Sequence, residues 1–217
     1  APQMITTRKG ASRNGFEEQI RKVTEAVKGA HSPLLLIGGG IISSQAVDKL
    51  RQFIAYTGIP VVNTLMGKGA APEGSRYTLG MVGMHGLPAA NLALNSCDLL
   101  LAVGVRFSDR VTGDPQSFLS ATKVVHVDID PAELCKNIDV AIPIVSDAGR
   151  FLDRLLAEMK EQKIKLSIKQ WYKTIDMYIE KYPLLYIKGE TLKPQQIIEY
   201  VAYLAGSSSI VATDVGQ

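Results

Sequence analysis

A doubly wound parallel α/β sheet of the Rossmann-like kind is the fold this sequence predicts, and three observations predict it. Short, unbroken apolar runs, such as Leu34 to Ile37 and Leu99 to Val103, alternate with stretches of helical periodicity. Those runs lack the in-and-out alternation of a half-exposed strand; strands covered by crossover helices on both faces read as continuous hydrophobic segments. Glycines close the periodic stretches or open the turns after the strands, as at Gly29, Gly38 and Gly58.

The elements follow in order. Phe16, Ile20, Val23 and Val27 stand at helical spacing before Gly29, so a helix is predicted over Phe16 to Lys28. Pro33 to Ile37 is a buried strand, and Gly38-Gly39-Gly40 is the turn that leaves it. Val47, Leu50, Phe53, Ile54 and Tyr56 mark a second helix ending at Gly58, followed by a strand from Pro60 to Asn63, which completes one βαβ unit. Ala89 to Ala93 reads as helical, Asp98 to Val103 and Lys123 to Asp128 as strands, Ala141 to Val145 as a short strand, and Asp147 to Lys160 as a helix. Residues 14 to 162 are therefore expected to form the α/β domain, with 1 to 13 as a lead-in linker. Residues 163 to 192, rich in lysine and holding Trp171, suit a helical connector lying on a neighbouring surface. A new unit is expected over 193 to 217, with a helix from Pro194 to Leu204 and a strand from Ser209 to Thr213. It stops at Asp214-Val215-Gly216-Gln217, where a βα unit gains its helix, and position 1 is not Met; the reading is of a truncated stretch.

Composition excludes several classes. Net charge is +3, with 24 basic and 21 acidic residues interspersed, so no phosphate-tracking surface and no nucleic-acid partner is expected. No apolar stretch approaches the roughly 20 residues of a membrane-spanning helix, so no membrane is expected either. Cys97 and Cys135 lack a CxxC spacing and are read as buried free thiols, and His31, His85 and His126 are too scattered for a protein-only metal site.

In an open parallel sheet, ligands occupy the crevice beyond the carboxyl ends of the strands, and the informative residues all follow strands. Gly38-Gly39-Gly40 lets backbone approach a phosphate or ribose, or is simply a tight turn. Thr64-Leu65-Met66-Gly67-Lys68-Gly69 offers a hydroxyl, an apolar wall and glycines, or is only a glycine-rich loop. Met81 to Gly86 brings two methionines beside glycines, suited to a flat ring or to the core. Gly104-Val105-Arg106-Phe107-Ser108-Asp109-Arg110-Val111-Thr112-Gly113 places two arginines and an aspartate just after a buried strand. Arginine suits bidentate recognition of phosphate or carboxylate; the alternative is a surface ion-pair cluster. In His126-Val127-Asp128-Ile129-Asp130-Pro131, an aspartate at the strand end suits ribose hydroxyls, while Asp130 before Pro131 suits a helix N-cap. No nucleophile, base and orienter stand together, so these residues bind more than they react.

Taken in order, Gly-Gly-Gly, Thr-Leu-Met-Gly, Gly-Met-His-Gly, Val-Gly-Val-Arg-Phe-x-Asp-Arg-Val-Thr-Gly, His-Val-Asp-Ile-Asp-Pro and Ser-Asp-Ala resemble the central domain of the acetohydroxyacid synthase (acetolactate synthase) family across essentially the whole chain. The resemblance implies FAD extended across the domain. Its contacts match Gly39 after the first strand, Thr64 and Leu65 after the second, and Val82, Gly83, Met84 and His85 beyond them. They continue at Gly104, Val105, Arg106, Phe107 and Ser108, then at Asp128 and Ile129, and finally at Asp147 and Ala148. The family usually has Asp at the place of Ser108 and Thr at that of Leu87, and a further FAD-contacting arginine aligns near Ala1 to Met4, where this chain has none.

By the same resemblance the flavin does no net redox work and the chemistry belongs to thiamine diphosphate with Mg2+, which joins two 2-oxoacids with loss of CO2. Asp109 and Arg110 match the substrate channel, with Arg110 on the acceptor's carboxylate, and Gln217 matches the start of the thiamine-diphosphate site. The resemblance further implies a homodimer or tetramer with a small regulatory subunit, in the cytoplasm or in a plastid or mitochondrion. The chain alone is expected to be inactive. Two alternatives stand beside this: a related thiamine-diphosphate enzyme, such as glyoxylate carboligase or pyruvate oxidase, and a nucleotide-sensing module without turnover.

Overall fold

Buried apolar runs set the framework in the computed structural model, which describes residues 13–112, 119, 121–187, 189 and 191–212. Most of the lead-in segment 1 to 13, Gly113, and the stretch Thr213 to Gln217 lie outside the described residues. The first helix, α1 (Arg13–Gly29), buries Phe16, Ile20, Val23 and Val27 along one stripe, as their spacing requires. β1 (Pro33–Ile37) is buried at every position. It enters a short helix, α2 (Gly39–Ser43), directly after Gly38, so the triple glycine is a turn only at its first residue. Next come α3 (Val47–Thr57), closed by Gly58 at a left-handed φ of 66°, and β2 (Val61–Asn63).

β3 (Thr78–Met81) does not announce itself in the sequence. Only Leu79 is buried, Gly80 sits inside the strand at φ 95°, and the pairing with β2 is irregular between Val61 and Val62. An edge strand with one covered face and a glycine in its middle loses the continuous apolar run that marks its neighbours. Beyond it lie α4 (Pro88–Ser96), β4 (Leu99–Val103), the single-turn α5 (Asp109–Thr112), β5 (Lys123–Asp128), β6 (Ile142–Val145) and α6 (Ala148–Glu161).

The six strands are all parallel in the order β3-β2-β1-β4-β5-β6. Chain direction across the sheet reverses between β1 and β4, and this switch point opens a crevice at the carboxyl ends of both strands. Alternate strand residues divide between two cores: Leu35, Leu101 and Val125 pack with α1, α3 and α6, and Leu36, Leu100 and Val124 with α4.

The expected connector contributes α7 (Lys169–Lys181), which covers the same face as α4. Trp171 donates its indole N–H to the Pro33 carbonyl at 3.0 Å, and the Tyr172 hydroxyl donates to the Gly58 carbonyl at 2.7 Å. Its surface is thus the α/β sheet itself, and the first compact unit runs Ala1–Tyr182. The second unit, Pro183–Gln217, contains α8 (Pro194–Ala205), in which no residue is buried. The strand expected from Ser209 is not formed over Ser209 to Ala212. A strand exists only within a ladder, and the described residues of this unit hold no other strand to pair with.

Candidate cofactor cleft

Five loops leave the carboxyl ends of β1, β2, β4, β5 and β6 on the same side of the sheet, and residues from all five line one cleft of about 890 Å3. The first and third meet at the switch point. Gly38 N–H donates to the Val103 carbonyl at 3.2 Å and Gly40 N–H to the Gly104 carbonyl at 3.0 Å. A Cβ on Gly38 would stand 2.2 Å from the Gly104 oxygen, and one on Gly40 2.5 Å from the Gly104 Cα. Gly38 and Gly40 therefore let the loops touch each other, and Gly39 and Gly40 line the cleft.

Of the residues expected to contact the cofactor, Gly39, Thr64, Leu65, Gly104, Val105 and Arg106 line this cleft. So do Ser108, Asp128, Ile129, Asp147 and Ala148. Arg110, expected at the substrate channel, lines it as well, from the backbone of α5. Leu65, Met66 and Ile129 expose large apolar side chains and line the same cleft, which gives it an apolar wall beside its charged groups. Asp128 accepts the Asp130 N–H at 2.9 Å, and Asp147 caps α6 by accepting the Arg150 N–H at 3.0 Å.

Five expected contacts are placed elsewhere. Val82 and Phe107 are buried in the core with α4 and α7, because each points into the sheet's covered face. Gly83, Met84 and His85 follow the edge strand β3 and are not among the residues lining the cleft; Met84 N–H donates to the Arg110 carbonyl at 3.0 Å and Gly83 packs against Arg110 and Val111, so this loop abuts the cleft through α5. Asp109 opens α5, its side chain lying outside what the structure describes, and Gln217 lies outside the described residues altogether. Asp130 is not a helix cap: its carboxylate accepts the Ala132 N–H at 2.9 Å within a turn, and β6 follows without an intervening helix.

The sequence reading missed Ser43 and Ser44, which line the cleft from the end of α2, and Glu133, Lys136 and Asn137 from the segment between β5 and β6. That segment has no periodicity to mark it; its only signal was its place after a strand. His126 was also passed over. It is fully buried, and its Nε2–H donates to the Val105 carbonyl at 2.8 Å. Burial pushes its pKa down, against the opposing pull of that carbonyl, Asp128 and Glu133, and favours the neutral ring.

The two cysteines separate. Cys97 is buried, gives its thiol hydrogen to the Leu94 carbonyl at 3.1 Å, and burial pushes its pKa up to about 12. Cys135, expected to be buried, is exposed in the turn after Asp130, at a φ of 59°. A thiol reagent at neutral pH is therefore expected to modify one cysteine in the folded chain and both after denaturation; two fast-reacting thiols in the native state would contradict this placement.

No helix among the described residues is long and apolar enough to cross a membrane. The sequence pattern of the thiamine pyrophosphate enzyme central domain matches residues 20–155. Similar curated proteins include the acetolactate synthase large subunit of Haemophilus influenzae, 39% identical over 207 residues, and the chloroplastic acetolactate synthase 2 of Nicotiana tabacum, 44% identical over 205. A probable acetolactate synthase large subunit of Methanocaldococcus jannaschii is 40% identical over 210 residues. These alignments take in 94%, 93% and 94% of this chain but 36%, 30% and 35% of the relatives, so the chain spans about a third of their length.

Proposed function

This chain belongs to the thiamine pyrophosphate enzyme central-domain family, and from that premise we propose that its cleft holds FAD and that it forms the middle of an acetolactate synthase catalytic chain. The observation that carries the reading is the convergence of Arg106, Arg110 and Asp128 with the exposed apolar Leu65, Met66 and Ile129 in one crevice at the switch point. Its volume lies within the roughly 300 to 1,000 Å3 of small-molecule and cofactor sites. Arg106 suits the dinucleotide's phosphates, Asp128 its ribose hydroxyls, and the apolar side chains its flat rings.

Thiamine diphosphate, held with Mg2+ in a polypeptide of the relatives' length, supplies the carbanion chemistry. The substrates on this reading are 2-oxoacids, pyruvate with a second pyruvate or 2-oxobutyrate. A smaller regulatory partner is supported by relatives named large subunits, and a homodimer or tetramer goes with the same reading. The setting that goes with this reading is the cytoplasm or, in a eukaryote, a plastid or mitochondrion; the relative named chloroplastic supports the plastid case.

Arg110 separates substrate from cofactor. It is exposed in the cleft one turn beyond Arg106, where a planar guanidinium can grip the acceptor's carboxylate through two parallel hydrogen bonds. In a polypeptide of the relatives' length, Arg110→Lys is expected to lower carboligation about tenfold to a hundredfold, since lysine keeps the charge but loses the fork, and to leave bound flavin nearly unchanged. Arg106→Lys is expected to do the reverse. Steady-state rates with pyruvate alone and with 2-oxobutyrate as acceptor, alongside flavin content, decide between them; normal carboligation with lost flavin in Arg110→Lys would mean that the two roles are exchanged. Identification of the product made from pyruvate tests the wider reading, which requires acetolactate and is refuted by any other product.

A further inference from the structure

Loop 104–108 forms one wall of the cleft, and two side chains outside it hold its backbone in place. His126, on β5, donates Nε2–H to the Val105 carbonyl at 2.8 Å; a carbonyl only accepts, so Nε2 carries the ring's proton. The same imidazole meets the Phe107 ring edge to face, with centroids 4.9 Å apart. Asn137, in the segment after β5, donates its amide N–H to the Phe107 carbonyl at 2.6 Å. A third carbonyl, that of Gly104, accepts the Gly40 N–H. Arg106 thus lies between two anchored peptide groups, with its own side chain exposed in the cleft.

His126 does this at a cost to the fold. Its Nδ1 is buried and meets no hydrogen-bond partner among the described residues. A buried unsatisfied acceptor costs as much as one neutral hydrogen bond contributes, or more; an aromatic hydrocarbon of similar shape would remove that cost at Nδ1 but leave the Val105 carbonyl without its donor, so the two roughly offset in the stability of the core. What only the histidine supplies is the fixed position of the Val105 carbonyl.

We propose that His126 and Asn137 are positioning residues that set the conformation of loop 104–108 and, through it, the place of Arg106 for binding an anionic dinucleotide; the identity of that ligand as FAD rests on the reading above. His126 does not line the cleft, and Asn137, which does, commits an amide N–H to the Phe107 carbonyl; faster exchange in the ligand-free protein is the effect that a mere contact with the ligand would not produce. Burial keeps His126 in the neutral, single-donor form this role needs, with Asp128 and Glu133 the acidic groups that oppose it.

The test uses this chain with His126→Phe, His126→Gln and Asn137→Ala. Amide hydrogen exchange is read in the ligand-free protein at Gly104 and Ser108, which donate to the Val127 and Arg106 carbonyls. FAD affinity is read by flavin fluorescence and global stability by melting. His126→Phe is expected to melt within a few degrees of the wild type, yet to exchange at Ser108 about tenfold faster and to bind FAD about tenfold more weakly. Asn137→Ala is expected to share both local effects, and His126→Gln, which keeps an N–H donor, to recover part of each. Unchanged exchange in His126→Phe and Asn137→Ala overturns the positioning role, as does faster exchange with undiminished FAD affinity. A wild-type chain that binds no FAD refutes the cofactor reading, while faster exchange in both variants would still uphold their hold on the loop.

Discussion

Gly104→Ala is expected to destabilise the first unit by about 2 to 5 kcal/mol and to abolish the cleft's binding. Gly104 has a φ of 62°, where any other residue carries a left-handed strain of about 1 to 2 kcal/mol. Its new Cβ would stand 2.6 Å from the Gly40 Cα and 3.0 Å from the Gly40 carbonyl carbon, so backbone rather than a yielding side chain must move. Overpacking of that kind adds about 1 to 3 kcal/mol. Either α2 shifts away from β4 or loop 104–108 does, and each carries cleft residues with it. For a unit of this size, about 3 kcal/mol lowers the melting temperature by about 6 to 12 °C. A variant that melts with the wild type and binds ligand normally would show that the two loops do not meet as described.

Trp171→Ala is expected to cost about 3 to 5 kcal/mol, the usual range for emptying a buried indole site. Trp171 is 4% exposed and packs between α7 and the sheet face that carries Leu34, Leu36 and Leu100. Its N–H also satisfies the Pro33 carbonyl at the start of β1, which the alanine would leave without that donor. Trp171→Phe keeps most of the apolar area and loses the hydrogen bond, so a smaller loss, about 1 to 2 kcal/mol, is expected. Urea unfolding of the three proteins measures the ranking. Equal midpoints for Trp171→Ala and the wild type would mean that α7 does not cover the sheet.

The sheet's interior was legible because its strands are buried on both sides: β1 and β4 have no exposed position, and their apolar runs state as much. Helix α1 was legible because four apolar residues share one face. β3 was not, since hydrophobic pattern reports burial and this edge strand has little. The cleft was half legible. Arg106, Arg110 and Asp128 could be found because a chemically suitable side chain after a buried strand in a parallel sheet has one place to go. Lys136 and Asn137 could not, because their position depends on how an irregular segment folds back between β5 and β6. The triple glycine invited a ligand-centred explanation; two of its members, Gly38 and Gly40, serve the contact with Gly104, and Gly39 and Gly40 line the cleft. Phe107 and Val82 carry the opposite lesson: both lie in loops beyond strand ends, and membership in a motif that lines a site does not fix which way a side chain points.

The most direct test of the account is titration of this chain with FAD, followed by flavin fluorescence, with NAD as competitor. The account predicts saturable quenching at one flavin per chain, unaffected by NAD, and weakened about tenfold to a hundredfold in Arg106→Met, which removes one charge-assisted contact worth about 1.5 to 3 kcal/mol. Binding of NAD that raises the melting temperature, with no quenching of FAD, would contradict it and make the cleft a nucleotide-sensing site instead.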